Sequence, residues 1–473
     1  MSISTKLKVK ERFDRLAPDR LKWIKKNKYY YEDKKKYHRF LIPENYSILE
    51  LGCGTGDLLS SLKPSYGVGV DFSSKMIDIS QKRYPEIKFI AGDIESLESL
   101  DRKFDYIILS DVLGHLVDVE ATFLNLHKFC NSNTRVIISY YNFLWEPLLK
   151  LAEVFKLKMP QRHQNWLTMA DIDNLLMLAN FQVVKKQSRL LIPKKVPFLS
   201  NIVNTYLSSL PVLTHLNLSC YLIARPRADQ VSEKKYSTTI VVPTKNERGN
   251  IKPCIERIPK FGKHQEIIFV DGHSTDGTSD EIRSIIKLNP DKDIKQYDQD
   301  GQGKYDAVKK GFKHATGEIL MILDADLTVP PEDLPKFYRS LASGKGEFIN
   351  GCRLIYPMEE QAMRFLNMLG NKFFSMAFSW LLNQRIKDTL CGTKVIFKKD
   401  YERIAAGRAY FGDFDPFGDF DLLFGASKLN LKIVEMPIRY QERSYGNTSI
   451  SRFRHGLLLL RMVGFAAKRI KFI

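Results

Sequence analysis

Short apolar runs recur along the chain, each closed by a glycine, an acid or a polar turn. In the first half they are SILEL (47–51), YGVGVDF (66–72), IKFIAGD (87–93), FDYIILS (104–110) and RVIISYY (135–141). In the second half TTIVVPT (238–244), EIIFVD (266–271) and EILMIL (318–323) repeat the pattern. Runs of five to seven residues are strand-length, and the mixed apolar and charged stretches between them have helix length. Alternation of this kind predicts an α/β chain with parallel sheets covered on both faces by helices. The polar stretch PRADQVSEKK (226–235) interrupts the pattern. It places one domain at 1–225, a linker at 226–236 and a second domain at 237–473.

Two stretches stand outside the strand pattern. The first forty residues are basic and aromatic, with Tyr29-Tyr30-Tyr31 ahead of Lys34-Lys35-Lys36. They read as one or two helices over the entrance of the first domain. VPFLSNIVNTYLSSLPVL (196–213) reads as a proline-bounded helical excursion.

A length of 473 residues suits two domains, each with its own core. The net charge of +19 asks for an anionic partner. Nucleic acid is set aside, since no zinc-finger spacing, RNP-type motif or interleaved aromatic pattern is present. Nucleotide-sugar phosphates and an anionic membrane face remain. The six cysteines are scattered with no C-x-x-C pair, which points to a reducing compartment. The N-terminus has no apolar signal core, and no apolar stretch reaches the ~18–20 residues of a spanning helix. MRFLNMLGNKFFSMAFSWLL (363–382) and RFRHGLLLLRMVGFAAKRIKFI (452–473) mix apolar and basic residues, as helices lying in a bilayer interface do. The expected location is therefore cytoplasmic, with peripheral contact on the inner face of the membrane.

Candidate chemistry in the second half centres on Asp324-Ala325-Asp326 at the end of the run 318–323. Residues i and i+2 of an extended chain point the same way, so both carboxylates reach one hard divalent cation. Upstream, Asp271 ends a second strand, and TTIVVPTKNERGN supplies a third strand and its turn. IVVPTKNE, FVDGHSTDGT and LDADLTVPPE resemble an inverting family 2 glycosyltransferase of GT-A fold. DTLCGTKVIFKK and VEMPIRYQERSYGNTSISRF resemble its dolichyl-phosphate mannose synthase-like branch. The resemblance implies a nucleotide-sugar site formed by Pro243, Thr244, Asn246, Glu247, Asp271, Lys304, Asp324, Ala325, Asp326 and Arg443. Asp324 and Asp326 would hold Mg²⁺ or Mn²⁺. The loop Ser444–Ser449 would close over the donor. The acceptor-side carboxylate is Asp419 or Asp421 in FGDFDLL; it serves as general base for a hydroxyl acceptor and is not required for a phosphate.

The first half carries Gly52-Cys53-Gly54-Thr55-Gly56-Asp57 directly after SILEL, and Asp71 fifteen residues beyond Gly56. The glycines allow a tight turn and close backbone approach to a ligand. An acid at Asp71 can accept from both ribose hydroxyls. ILELGCGTGDLL, GVDFS, IKFIAGDIESL and FDYIILSDVLGHL resemble a class I S-adenosylmethionine-dependent methyltransferase, a Rossmann-like seven-stranded fold whose last two strands, FQVVKKQSRLLIP and LSCYLIARP, run antiparallel. By resemblance Gly52, Gly54 and Gly56 wrap the methionine part of S-adenosylmethionine and Asp71 the ribose. Asp93 and Ile94 flank the adenine, and Ser110 and Asp111 edge the methionine amino group. His115 is the candidate base, and Tyr140, Tyr141, Asn142, Trp145 and Trp166 surround the acceptor. The chain is thus expected to be bifunctional. One half transfers sugar from a nucleotide-sugar to a polyprenyl phosphate or related glycolipid, and the other transfers methyl to a small-molecule or sugar- or lipid-linked acceptor. The alternative is a polysaccharide hydroxyl acceptor with the methyltransferase-like half as a binding module.

Overall fold

The computed structural model describes residues 3–98, 100, 102–161, 164–227, 235–354, 365–411, 419–441, 443, 445 and 452–473. Most of the expected linker (228–234), Met363 and Arg364, Phe417 and Gly418, and Ser444 with 446–449 of the expected closing loop lie outside these residues. The chain divides into two compact units, the first comprising Met1–Arg227 together with Phe472–Ile473 and the second Ala228–Lys471.

The first unit is a seven-stranded sheet of β1 (Ser47–Leu51), β2 (Tyr66–Asp71), β3 (Lys88–Ala91), β4 (Phe104–Ser110), β5 (Cys130–Tyr141), β6 (Phe181–Arg189) and β7 (Ser219–Pro226). Their spatial order is β3-β2-β1-β4-β5-β7-β6. β1 to β5 pair in parallel, and β7 inserts antiparallel between β5 and β6. β1 is buried along its whole length, as its apolar run requires of a strand covered on both faces. One face packs Leu49, Leu51, Ile107 and Leu109 against Phe123 and Phe129. The other packs Ile48, Tyr106, Ile108 and Ile137 against Tyr37 and Leu41 of the N-terminal helices. Side-chain caps start the helices: Ser73 accepts from Met76 N (3.2 Å), Asp118 from Ala121 N (2.9 Å), and Thr168 and Asp171 form a reciprocal box. The N-terminal segment forms three helices, Ile3–Leu16, Arg20–Lys26 and Lys28–Leu41. The excursion between β6 and β7 is a helix, Leu199–Thr205, followed by two short 3₁₀ turns.

The second unit is also a seven-stranded mixed sheet: β8 (Ser237–Thr244), β9 (His264–Asp271), β10 (Asp293–Asp298), β11 (Ile319–Ile322), β12 (Phe348–Cys352), β13 (Lys394–Phe397) and β14 (Ile433–Pro437). The order is β10-β9-β8-β11-β13-β12-β14. β8 to β11 pair in parallel, while β13 runs antiparallel between β11 and β12. In each sheet the connection reverses direction beside the first strand, β1 or β8. The crevice at the carboxyl ends of such strands is where open α/β sheets bind ligands.

One expectation is corrected here. The strand read as 318–323 is shorter, Ile319–Ile322, and Asp324-Ala325-Asp326 lies on the turn that follows. Leu327 N closes that turn on Asp324 O at 3.2 Å, with Leu327 at φ 54. Strand alternation therefore does not orient the two carboxylates; the turn does, leaving both acids half-exposed around a buried Ala325.

The two units build separate cores. Phe123→Ala should cost the first unit about 3–5 kcal/mol. Guanidinium titration should show one unfolding transition moved to lower denaturant and the other in place; displacement of both would contradict independent cores.

Candidate active sites

At the end of β1 the chain turns back sharply. Gly52 has φ +80, and a Cβ there would come within 2.7 Å of the Val112 side chain, so the close packing needs glycine. Gly52 N and Cys53 N donate to Val70 O at 2.8 and 3.0 Å, and Gly54 N donates to Asp71 Oδ2 at 2.8 Å. Ser73 N donates to the other Asp71 oxygen at 2.9 Å. Burial raises the Asp71 carboxyl above its ordinary range, against these two backbone donors.

Beside this turn opens a cavity. Gly52, Gly54, Asp71, Asp93, Ile94, Ser110 and His115 line it. Gly56 does not. It sits at φ +76 before the helix Asp57–Ser61, and a Cβ there would meet the Phe89 ring at 2.7 Å, so its contribution is to the turn. Asp93 accepts from Lys6 Nζ (2.7 Å) and Glu95 N (3.0 Å), and Lys6 also pairs with Glu95 at 2.9 Å. Ser110 accepts from Ser139 Oγ at 3.1 Å. Asp111, at φ 56, accepts from Tyr30 OH (2.7 Å) and pairs with Lys34.

His115 ends a short 3₁₀ turn, edge-on to Phe13. Neither ring nitrogen has a hydrogen-bond partner among the described residues. Burial, reinforced by Arg12 and Lys158, pushes its pKa down to about 3. The imidazole is neutral at pH 7 but a weak base, which works against the expected proton-abstracting role. Of the expected acceptor aromatics, Tyr141 reaches the cavity. Asn142 and Trp145 instead donate to His215 O and Leu216 O, both at 2.8 Å, anchoring the segment before β7.

Glu50, in the buried strand, also lines the cavity and was not singled out from the sequence. It accepts from Leu59 N at 3.1 Å, and burial pushes its pKa up to about 8. Lys6, Arg20 and Lys34 of the N-terminal helices line the same cavity. No pattern in a basic, aromatic stretch marks which lysine or arginine turns inward.

In the second unit the strand ends expected to meet do so. Gly272 N donates to Thr244 O at 2.8 Å, which ties the end of β9 to that of β8, and Gln299 N donates to Asp271 O at 2.9 Å, which ties the end of β10 to that of β9. Asp271 accepts from Ser274 Oγ at 2.5 Å, and Ser274 Oγ accepts from Asn246 N at 2.9 Å. Asn246, at φ 55, accepts from Thr275 N at 2.8 Å. Pro243 and Thr244 are the last residues of β8.

Arg443 joins two of these ends, contacting Asp326 at 2.7 Å and Glu247 at 3.3 Å. Burial raises the Glu247 carboxyl, and Asn250 and Arg443 oppose it. Lys304 pairs with Asp324. Burial would raise the Asp324 carboxyl, but Lys304 with Lys394 and Arg353 holds it below its ordinary range. A Cβ on Gly392 would collide with both Asp324 and Lys304, so the loop 388–393 packs directly on that pair. Arg353 fixes this loop through a two-pronged contact with buried Asp388, at 2.7 and 2.8 Å, which sequence reading had not identified. Asp421 is buried and pairs with Arg408 at 2.9 Å. The Asp419 side chain lies outside the described residues.

Glu50 carries a pH signature. Its carboxyl is protonated in the fold up to about pH 8 and ionises near the ordinary value of 4.5 once unfolded. Its stabilising contribution is full below about 4.5 and lost as pH rises through about 8. Relative to Glu50→Gln, the wild-type denaturation midpoint should fall as pH rises across this window; parallel curves would mean the carboxyl is ionised in the fold.

The Methyltransferase domain family model matches residues 23–186, and the Glycosyl transferase family 2 model matches 239–404. A dolichol-phosphate mannosyltransferase of Pyrococcus furiosus is 28% identical over 247 residues, 50% of this chain and 66% of the relative. An undecaprenyl-phosphate 4-deoxy-4-formamido-L-arabinose transferase of Edwardsiella ictaluri is 27% identical over 110 residues, 22% of this chain and 34% of the relative. The chain thus spans about two thirds or less of the length of these relatives. A SAM-dependent methyltransferase structure from Thermotoga maritima is 17% identical with a TM-score of 0.37, covering 46% of this chain and 99% of its own. This chain joins a Rossmann-like methyltransferase domain to a glycosyl transferase family 2 domain.

Proposed function

We propose that the second unit transfers a sugar, with inversion, from a nucleotide-sugar to a polyprenyl phosphate or related glycolipid. The first unit transfers methyl from S-adenosylmethionine to a small-molecule or sugar- or lipid-linked acceptor. The observation that carries the sugar-transfer reading is the joining of Glu247, Asp271 and Asp326 at one sheet edge, with Lys304 and Arg443 already on the acids. Two relatives whose names differ in the sugar share a polyprenyl phosphate, which supports that acceptor class.

In this reading Asn246, Glu247 and Asp271 hold the nucleoside, and Lys304 and Arg443 take the diphosphate oxygens. Arginine's planar fork suits phosphate. Asp324 and Asp326 fit a hard divalent cation. Mg²⁺ is commonly held by one or two carboxylates with substrate phosphates completing the shell. When bound, Mg²⁺ or Mn²⁺ supplies charge neutralisation of the leaving diphosphate. The acceptor oxygen attacks the anomeric carbon on the face opposite that diphosphate. A phosphate acceptor is already an anion, and the burial of Asp421 against Arg408 favours it over a hydroxyl needing Asp421 as base.

No helix among the described residues is long and apolar enough to cross a membrane. Helices Phe365–Leu382 and Arg452–Ala466 would instead lie against the inner face of the bilayer. For methyl transfer, Asp71 takes the ribose, Asp93 and Ile94 the adenine, and Ser110 and Asp111 the methionine end. The protein's main contribution is alignment of nucleophile, methyl and sulfur.

Nucleotide-sugars with Mn²⁺ should raise the melting temperature, as ligands of the native state do. Asp324→Asn and Asp326→Asn should each remove the Mn²⁺-dependent part of the rise and lower kcat/KM roughly 100-fold or more. A metal-independent rise that survives both changes would defeat the site. Asp419→Asn with Asp421→Asn should leave sugar transfer to polyprenyl phosphate within about tenfold of wild type; a loss of about 1000-fold would favour a hydroxyl acceptor. Methyl label supplied with the lipid-linked product should enter lipid or glycan, and label in neither would separate the two activities.

A further inference from the structure

The methyltransferase unit leaves a large apolar surface uncovered. Along the helix Glu146–Val154 and its C-terminal end, Leu148, Val154 (76% exposed) and Phe155 (66%) face outward. In the excursion before β7, Phe198 (87%), Ile202 and Val212 (80%) do the same. Side chains of this size are normally exposed singly, not as two clustered segments.

The two segments form one face because they are joined at both ends. At one end Trp145 Nε1 donates to Leu216 O at 2.8 Å. At the other, Lys26 Nζ donates to Lys156 O at 2.6 Å and Lys194 Nζ to Asn27 Oδ1 at 2.8 Å, so both segments meet the turn at Lys26-Asn27. Phe198, ahead of the helix Leu199–Thr205, has φ 60 and ψ −47, a backbone position costly for a bulky residue.

The charge on this face has one sign. From Leu190 to Leu218 the sequence contains Lys194 and Lys195 and no acidic residue. Both acids near Glu146–Val154 are neutralised locally, Glu146 by Lys150 (2.5 Å) and Glu153 by Lys158 (2.7 Å). Lys26 and Lys194 donate to neutral oxygens, and with exposed Lys156 and Lys195 they form a basic rim beside the apolar tips. Exposed apolar wedges rimmed by lysines match an anionic bilayer, whose surface attracts the amines while its acyl region takes the rings. Met159, just beyond the same helix, lines the cofactor cavity, so the face adjoins the route of a methyl acceptor.

We propose that the methyltransferase unit docks on anionic lipid bilayers through the face formed by residues 148–156 and 194–212, independently of the glycosyltransferase helices. This goes beyond the activities assigned above and does not depend on them, because the readout below is position-specific and needs no turnover.

The test uses the full chain with Phe198→Cys labelled by an environment-sensitive dye. Five of the six native cysteines are buried, and the identically treated wild type sets the background. Vesicles rich in phosphatidylglycerol should shift the dye emission to the blue, and a quencher attached to the acyl chains should quench it. Vesicles of phosphatidylcholine alone should bind roughly tenfold less. Lys194→Glu with Lys195→Glu should weaken the phosphatidylglycerol response by about tenfold or more. Val212→Cys gives a second reporter if the first variant folds poorly. A dye that stays in water while the chain sediments with vesicles would overturn the proposal, placing the membrane contact elsewhere. So would a dye already buried without lipid, which would assign the face to a second copy or another protein.

Discussion

Concentrated negative charge at the edge of the second sheet is the constraint on which that unit's site depends. β8, β9 and β11 deliver Glu247, Asp271, Asp324 and Asp326 to neighbouring turns. Carboxylates so close repel unless cations sit among them. The chain places Lys304 on Asp324 and lets one guanidinium, Arg443, serve both Asp326 and Glu247. The same amine and guanidinium suit phosphate oxygens, so the groups that make the acidic strand ends tolerable are of the kind an anionic donor would use. The pairing of half-buried Arg353 with buried Asp388 stiffens the loop behind them, and Gly392 lets that loop touch the Asp324–Lys304 pair without a side chain between.

The first unit handles its acids differently. Its cavity is lined by acids, and three of them have different partners. Asp71 receives two backbone N–H groups, Asp93 receives Lys6, and Glu50 receives a single N–H in full burial and keeps its proton. Residue type did not decide these outcomes; local donors and solvent did.

The strands were legible because apolar runs of strand length ended in glycines and acids, and the turn residues were legible because their spacing is dictated by backbone geometry. What escaped was set by tertiary contact. The orientation of Asp324 and Asp326 follows from a turn closed at Leu327, which strand alternation cannot anticipate. His115 has the ordinary look of a base, but its weakness comes from burial near Arg12 and Lys158. Gly56 reads as a ligand contact, while the Phe89 ring, 2.7 Å from where a Cβ would sit, gives a packing reason for glycine that spacing does not reveal. Lys6 and Lys34 sit among many lysines, and only the fold picks them out.

Lys6, on the helix Ile3–Leu16 and in the lining of the cavity, spans Asp93 and Glu95. Under the proposed reading, a purine seated against Asp93 would compete with that ammonium for the same oxygens, and loading of the pocket would be coupled to breakage of a half-exposed ion pair. Salt screens such a pair. The dwell time of a nucleoside so held would then depend on ionic strength.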